Sequence, residues 1–289
     1  MKILVIGNGF LARPIIEKLE SEGNQLLVYS RRFAAELRSK QILGDIFNFE
    51  DFREVLAWKP QVIVHTAWIT SHATHRNDPS NFKYADFTSR LAHEVSKSDV
   101  EHLIILGSCV EYGRQLEPSV AGRTKLLPND IYAQQKVAAY TMAKEALHNS
   151  DARMTWARIF YAYGPGQSVY RLLPYLINEL QKGAEVRLSD TTSILDWITT
   201  RDIASAISFL IHNRTPLEVD VGTTFGYTNV ELLERLKSLL GYSNPQTIIT
   251  SEKVNEGSVY LVGKSSPLFE SGWFARDTLD MGLEWVLNS

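Results

Sequence analysis

Residues 2–12 read Lys2-Ile3-Leu4-Val5-Ile6-Gly7-Asn8-Gly9-Phe10-Leu11-Ala12, and this stretch decides the fold. Lys2 to Ile6 is a short, β-branched apolar run of the kind found in a parallel strand buried on both faces. A helical pattern follows at once, with Leu11, Ile15, Ile16 and Leu19 on one side. Between them stands GxGxxA. Gly7 permits the tight turn, Gly9 lets a pyrophosphate approach the backbone, and Ala12 lets helix and strand pack closely. The helix N-terminus supplies free N–H groups and positive potential for phosphates. Gly7, Asn8, Gly9, Phe10 and Leu11 are therefore read as a dinucleotide-binding loop. A glycine turn without a ligand is the plain alternative, and the strand–turn–helix context argues against it.

Strand and helix alternate along the rest of the first half. The second strand, Gln25 to Tyr29, ends in Ser30-Arg31-Arg32. A site built for NAD usually carries an acid there for the ribose 2′-hydroxyl, whereas guanidiniums suit a 2′-phosphate. NADP is therefore expected over NAD. Ile42 to Asp45 reads as a third strand and its exit, with Asp45 and Ile46 placed near an adenine. Asp51 to Trp58 is helical, and Val62 to Ala67 is a fourth strand whose end offers Thr66 and Ala67 to the cofactor. His65, inside that apolar run, reads as a core histidine. His72 and His75 lack a Cys or acid at metal spacing, so no metal is expected. Asn81 to Lys97 is a long helix, and His102 to Gly107 is a fifth strand leading to Ser108. This is the doubly wound α/β pattern, in which ligands sit at the carboxyl ends of the strands. Ser108 is well placed for chemistry, while Cys109 reads as a small packing residue.

Composition bounds the rest. The 289 residues are 44% apolar and 22% charged, with a net charge of −3. These values are ordinary for a soluble globular protein and give no electrostatic reason to expect nucleic acid. Cys109 is the only cysteine, which leaves no intramolecular disulfide and no thiolate zinc cluster. The apolar run at the N-terminus is too short for a signal peptide or a membrane span, so a cytoplasmic location without membrane contact is expected.

The most chemical stretch is Ile131-Tyr132-Ala133-Gln134-Gln135-Lys136. Asp130 reads as an N-cap, so Tyr132 and Lys136 fall on one face of a helix. A phenol titrates near ~10, and an adjacent ammonium lowers that value. Such a pair can protonate a carbonyl oxygen or deprotonate an alcohol. The YxxxK spacing alone is common on solvated helix faces, so its weight comes from the surrounding motifs.

Taken in order, these residues resemble the extended short-chain dehydrogenase/reductase family, also called the NAD-dependent epimerase/dehydratase family. The resemblance covers nearly the whole chain. It rests on Gly7 to Ala12, Gly44-Asp45, His65-Thr66-Ala67, Ser108 with Glu111-Tyr112-Gly113, and Tyr132 with Lys136. It continues through Arg158 with Tyr163-Gly164-Pro165-Gly166, Asp196-Trp197-Ile198 with Asp202, and Gly272-Trp273. It implies a Rossmann-type doubly wound parallel sheet with a small C-terminal substrate-binding lobe. Residues 1–163, with a return at about 196–222, would bind the cofactor; 164–195 and 223–289 would form the lobe. Tyr132 would be the acid–base group, Lys136 would hold the nicotinamide ribose and lower the phenol's pKa, and Ser108 would bond the reacting oxygen. Family members often dimerise through the helices at 81–97 and 130–147, and a homodimer is expected. Phe82, Ala85, Leu91, Ala92 and Val95 offer apolar material.

Departures from the family pattern narrow the expectation. Cys109 and Val110 stand where 4,6-dehydratases carry Asp and Glu, which argues against elimination of water. Tyr161 and Leu195 stand where many members have the Asn and Arg that contact a sugar-nucleotide diphosphate. Arg171, Arg187 and Arg201 are candidates to substitute. Ser108, Cys109, Val110, Tyr161 and Arg171 are thus the expected substrate-binding residues. The reading is an NADPH-dependent reductase of a nucleotide-linked 4-keto-6-deoxysugar. The alternatives are a sugar-nucleotide 4-epimerase with retained NAD and a non-catalytic dinucleotide-binding sensor.

Overall fold

In a computed structural model of the protein, residues 1–70, 74–213, 217–242, 247–248, 259–264 and 267–289 are described. His72 lies outside them. The first half runs β1 (Lys2–Ile6), α1 (Ala12–Ser21), β2 (Gln25–Ser30), β3 (Lys40–Leu43), α2 (Phe49–Leu56), β4 (Val62–His65), α3 (Asn81–Val95), β5 (His102–Ser108), α4 (Ile131–Leu147) and β6 (Arg153–Ile159). The second half runs β7 (Tyr161–Tyr163), α5 (Leu172–Gln181), β8 (Val186–Arg187), β9 (Ile194–Thr199), α6 (Thr200–His212), β10 (Glu218–Val221), β11 (Gly226–Thr228), α7 (Asn229–Leu240), β12 (Thr247–Ile248), β13 (Tyr260–Leu261), α8 (Pro267–Glu270) and α9 (Leu279–Leu287).

Seven strands form one parallel sheet in the order β10-β6-β5-β4-β1-β2-β3. Ile3, Leu4, Val5 and Ile6 are all fully buried, because helices cover both faces. α1 and α6 pack on one face through Ile15, Ile16, Ile203 and Ile207. α2, α3 and α4 supply Phe52, Leu91 and Ala139 to the other. The strand order reverses beside β1, between β4 and β2. A crevice opens outside the carboxyl ends of the strands at such a switch point.

A smaller sheet orders β11-β9-β13, and β7 also pairs with β9. Buried Asp196 on β9 ties this sheet to the end of β10. It accepts from Thr223 N at 2.8 Å, Thr223 Oγ1 at 2.6 Å and Thr224 N at 3.0 Å. Thr228 caps α7 in a box with Glu231, and Gly241 in the left-handed region ends that helix. β8 pairs in parallel with β12 through Val186 and Arg187. Among the described residues, no helix is long and apolar enough to cross a membrane.

Candidate active site

A cavity of about 830 Å³ opens at the switch point, within the ~300–1,000 Å³ usual for ligand sites. Gly7 to Ala12, Ser30, Arg31, Arg32, Asp45, Ile46, Thr66 and Ala67 line one end. Ser108, Cys109, Val110, Tyr132, Tyr161 and Arg171 line the rest. All the residues expected to touch ligand thus share one wall system, except Lys136. Arg187 and Arg201 do not line it. Arg187 donates to Glu185 at 3.1 Å, and Arg201 grips Asp277 at 2.5 and 2.6 Å.

The glycine turn has the shape its sequence predicts. Gly7 sits at φ +105°, and a Cβ there would lie 2.6 Å from Thr66 Oγ1. At Gly9 a Cβ would meet nothing within 4 Å, so the backbone there is open to an approaching phosphate. Asn8 Nδ2 donates to Arg32 O at 2.6 Å and Ser30 Oγ to the same oxygen at 2.8 Å, which ties the loop to the end of β2. The Arg31 and Arg32 side chains are exposed, and neither has an ion-pair partner among the described residues. Asp45 Oδ1 accepts the N–H of Phe47 at 3.0 Å. The residues present fit a dinucleotide: a bare backbone at the turn, a helix N-terminus behind it and free cations at the next strand end.

At the other end, Asp130 caps α4 by accepting from Ala133 N at 2.8 Å. That sets Tyr132 in the first turn, facing the cavity. Ser108, the last residue of β5, hydrogen-bonds the Tyr132 phenol and favours its ionised form. Burial is the larger influence and pushes the phenol above its ordinary value, with Glu111 and Cys109 adding to the rise and Arg171 opposing it. Tyr132 is a neutral phenol at pH 7.

Lys136 differs from expectation. It is buried behind the cavity wall, its Nζ donating to Leu106 O at 2.6 Å and lying 3.8 Å from the Trp68 ring centroid. Burial pulls its ammonium down to about 7, against the pull of Glu111. Its charge goes first to a carbonyl and an indole face, with the Tyr132 ring centroid 5.9 Å away; burial, Ser108, Glu111, Cys109 and Arg171 are the larger influences on the phenol. Trp68 was not evident from sequence; its Nε1 donates to Asn81 Oδ1 at 2.8 Å and its ring meets Tyr132 edge-on at 6.3 Å. Arg76 also joins the site without a motif to mark it. Its Nη1 bonds Asp130 Oδ2 at 2.9 Å, its carbonyl accepts Tyr132 N at 2.8 Å, and its side chain bonds Tyr161. The only signal available was a cation in the polar loop after β4.

The remaining expectations concern packing. Cys109 is buried, and burial pushes its thiol well above the ordinary value, which suits a packing role. His65 is held in the core, Nε2 lying 3.0 Å from Thr88 Oγ1, and burial lowers it to about 3. Ala85, Leu91, Ala92 and Val95 are buried in the core, and Phe82 remains exposed. No cluster of three metal-ligating side chains occurs among the described residues.

A doubly wound parallel sheet with a glycine turn at its switch point defines a dinucleotide-dependent enzyme. More narrowly, the chain belongs to the NAD dependent epimerase/dehydratase family, whose model matches residues 3–222. A UDP-glucose 4-epimerase of Lactobacillus helveticus is 23% identical over 86% of this chain and 84% of its own. A dTDP-L-rhamnose 4-epimerase of Burkholderia thailandensis is 22% identical over 98% of this chain and 93% of its own. In structure, the UDP-glucose 4-epimerase of Thermotoga maritima, solved with UDP-glucose, shares the fold with a TM-score of 0.88. It is 19% identical over 100% of this chain and 98% of its own. A dTDP-glucose 4,6-dehydratase of Bacillus anthracis, solved with NAD, gives a TM-score of 0.85 at 20% identity over 100% and 96%.

Proposed function

We propose that the protein is an NADPH-dependent reductase of a nucleotide-linked sugar bearing a keto group, most specifically a 4-keto-6-deoxysugar. The carrying observation is the hydrogen-bonded Ser108–Tyr132 pair in the same cavity as the glycine turn. The residues around Gly7, Gly9 and Ser30 to Arg32 would hold the dinucleotide, which when bound supplies a hydride. Ser108 binds and orients the ketone oxygen. Tyr132, neutral at pH 7, gives its proton to the oxygen as negative charge develops there. Trp68 and Tyr161 restrict water around the reacting oxygen. Cys109 and Val110 carry no carboxyl group for removing water. The two exposed guanidiniums of Arg31 and Arg32 favour NADP over NAD, and Arg171 is proposed to contact the substrate.

The names of the similar proteins favour a second reading, a sugar-nucleotide 4-epimerase that retains its cofactor. Following NADPH oxidation against a panel of nucleotide-linked 4-ketosugars separates the two. Net, stoichiometric oxidation supports the reductase. Tightly held NAD after purification, with interconversion of 4-epimers and no net oxidation, supports the epimerase. The division proposed for the chain is a cofactor unit of 1–163 with about 196–222, and a substrate lobe of 164–195 and 223–289. A homodimer through α3 and α4 is also proposed, because Phe82 and Met142 stay exposed on these two packed helices. Mass measurement in solution tests it.

A further inference from the structure

The Ser108–Tyr132 pair leans on a carboxylate that does not face the cavity. Glu111 is fully enclosed. Its Oε1 accepts the Ser108 N–H at 2.7 Å, and its Oε2 accepts from Arg158 Nε at 2.7 Å. Trp156 Nε1 donates to both oxygens at 3.2 and 3.0 Å. The approach requires glycine at 107. A Cβ there would lie 2.2 Å from Trp156 Nε1 and 2.8 Å from Glu111 Oε1. Two residues back from Ser108 along β5, Lys136 bonds Leu106 O at 2.6 Å. A carboxylate and an ammonium therefore hold the end of β5 at Ser108 N–H and Leu106 O, one residue either side of Gly107.

The charges around the pair decide what each can do. Arg158 is fully buried and passes a second bond, from Nη1 to Glu218 Oε2 at 2.7 Å. Glu218 is the outlet of this chain, with 17% of its side chain exposed. Burial raises the Glu111 carboxyl, and Arg158, the Ser108 N–H, Lys136 and Trp156 hold it down; as carboxylates, Glu111 and Glu218 against Arg158 leave one negative charge, which Lys136 balances. Of the other groups facing this cluster, His65 and three tyrosines are neutral at pH 7, and Asp220 is part-ionised. His65 from β4 is lowered to about 3, so it is neutral. Tyr112, Tyr132 and Tyr140 are all raised by burial and remain phenols. Asp220 from β10 takes the Tyr112 hydroxyl at 2.7 Å and is pushed up to about 7. For Lys136, Glu111 is the charge that opposes desolvation.

We propose that Glu111 is a positioning residue for the reaction: it fixes the Ser108 backbone, and so aims the hydroxyl at Tyr132, while supplying the counter-charge for Lys136. This rests on the assignment of Ser108 and Tyr132 as the reacting pair. A purely structural Glu111 would fill an ion pair with Arg158 and leave the pH profile where it was.

The test is Glu111→Gln, which keeps the shape and an acceptor for Ser108 N–H but removes the charge. Activity is read as kcat/KM for NADPH oxidation with a 4-ketosugar nucleotide across pH 5–9, with the NADPH dissociation constant and Tm measured alongside. The expected result is a fall of about tenfold or more at pH 7.5, with the alkaline limb moved acidward by roughly one unit, as loss of a close counter-charge should do. Glu111→Asp, which keeps the charge and loses the reach to Ser108, should lower kcat and leave the limb in place. A folded Glu111→Gln with the wild-type limb would overturn the proposal. Should that variant not fold, Glu218→Gln at the solvent end carries the same test. Its limb should move the same way by a smaller amount, and an unmoved limb overturns the proposal equally. Tyr132→Phe is run in parallel. Wild-type turnover there sinks the reductase assignment itself, whereas loss of turnover there with an unmoved limb in Glu111→Gln sinks only the role of Glu111.

Discussion

Cofactor choice is open to a direct perturbation, Arg31→Ala combined with Arg32→Ala. Both side chains are exposed at the end of β2, both line the cavity, and their backbone is fixed by the Asn8 and Ser30 bonds to Arg32 O. Neither substitution disturbs the core. A guanidinium hydrogen-bonded to a phosphate is worth ~1.5–3 kcal/mol when desolvated, and solvent exposure reduces that to about 1–1.5 kcal/mol. Removing both should cost about 2–3 kcal/mol, or roughly 30- to 150-fold in the NADPH dissociation constant. NADH has no 2′-phosphate and should bind the variant as it binds the wild type, within about threefold. Isothermal titration of both cofactors into both proteins, repeated at raised salt, measures this. Salt should weaken NADPH binding to the wild type and have little effect on the variant. An equal loss for the two cofactors, or tighter NADH binding by the wild type, would refute the assignment.

Further outcomes follow from the turn, the buried charges and the histidines. Gly7→Ala would place a Cβ 2.6 Å from Thr66 Oγ1 at φ +105°, so about 1–3 kcal/mol of strain and at least a tenfold loss of dinucleotide affinity are expected; intact affinity by titration would contradict this. Arg158→Met strands Glu111 in the interior and should cost about 3–5 kcal/mol, read as a lower midpoint in urea unfolding. Lys136 titrates at about 7 in the folded protein, charged below and neutral above; kcat/KM should therefore fall as pH rises through 7. His65 and His102 fall to about 3 in the folded protein from 6.5. The unfolded chain binds those protons first, so their contribution to stability is present above pH 6.5 and is lost as pH falls toward 3; a Tm that rises on acidification would contradict it.

Local patterns made most of the fold legible. β1 announces itself by four consecutive buried apolar residues, and Asp130 supplies the capping oxygen its sequence promises. The cavity's two ends were readable because strand ends converge at a switch point whatever the loops do. What was not legible is contact between residues far apart in the chain. Arg158 finds Glu111 and Glu218 across β5, β6 and β10, and no spacing in the sequence encodes that. Lys136 was placed correctly on its helix face. Its partner was not, because the choice between phenol, carbonyl and indole depends on where Trp68 packs. Arg76 sat in a loop without periodicity and gave no warning that it would meet both Asp130 and Tyr161.

The central claim is that Ser108 and Tyr132 handle the proton at a ketone while a dinucleotide in the glycine-turn cavity supplies the hydride. Its most direct test is turnover with NADPH deuterated at the transferring position and a nucleotide-linked 4-ketosugar, wild type against Tyr132→Phe. The wild type should place deuterium on the sugar carbon. Tyr132→Phe should do so slower by roughly 10²- to 10⁴-fold while still binding NADPH. Deuterium transfer by Tyr132→Phe at the wild-type rate would contradict it.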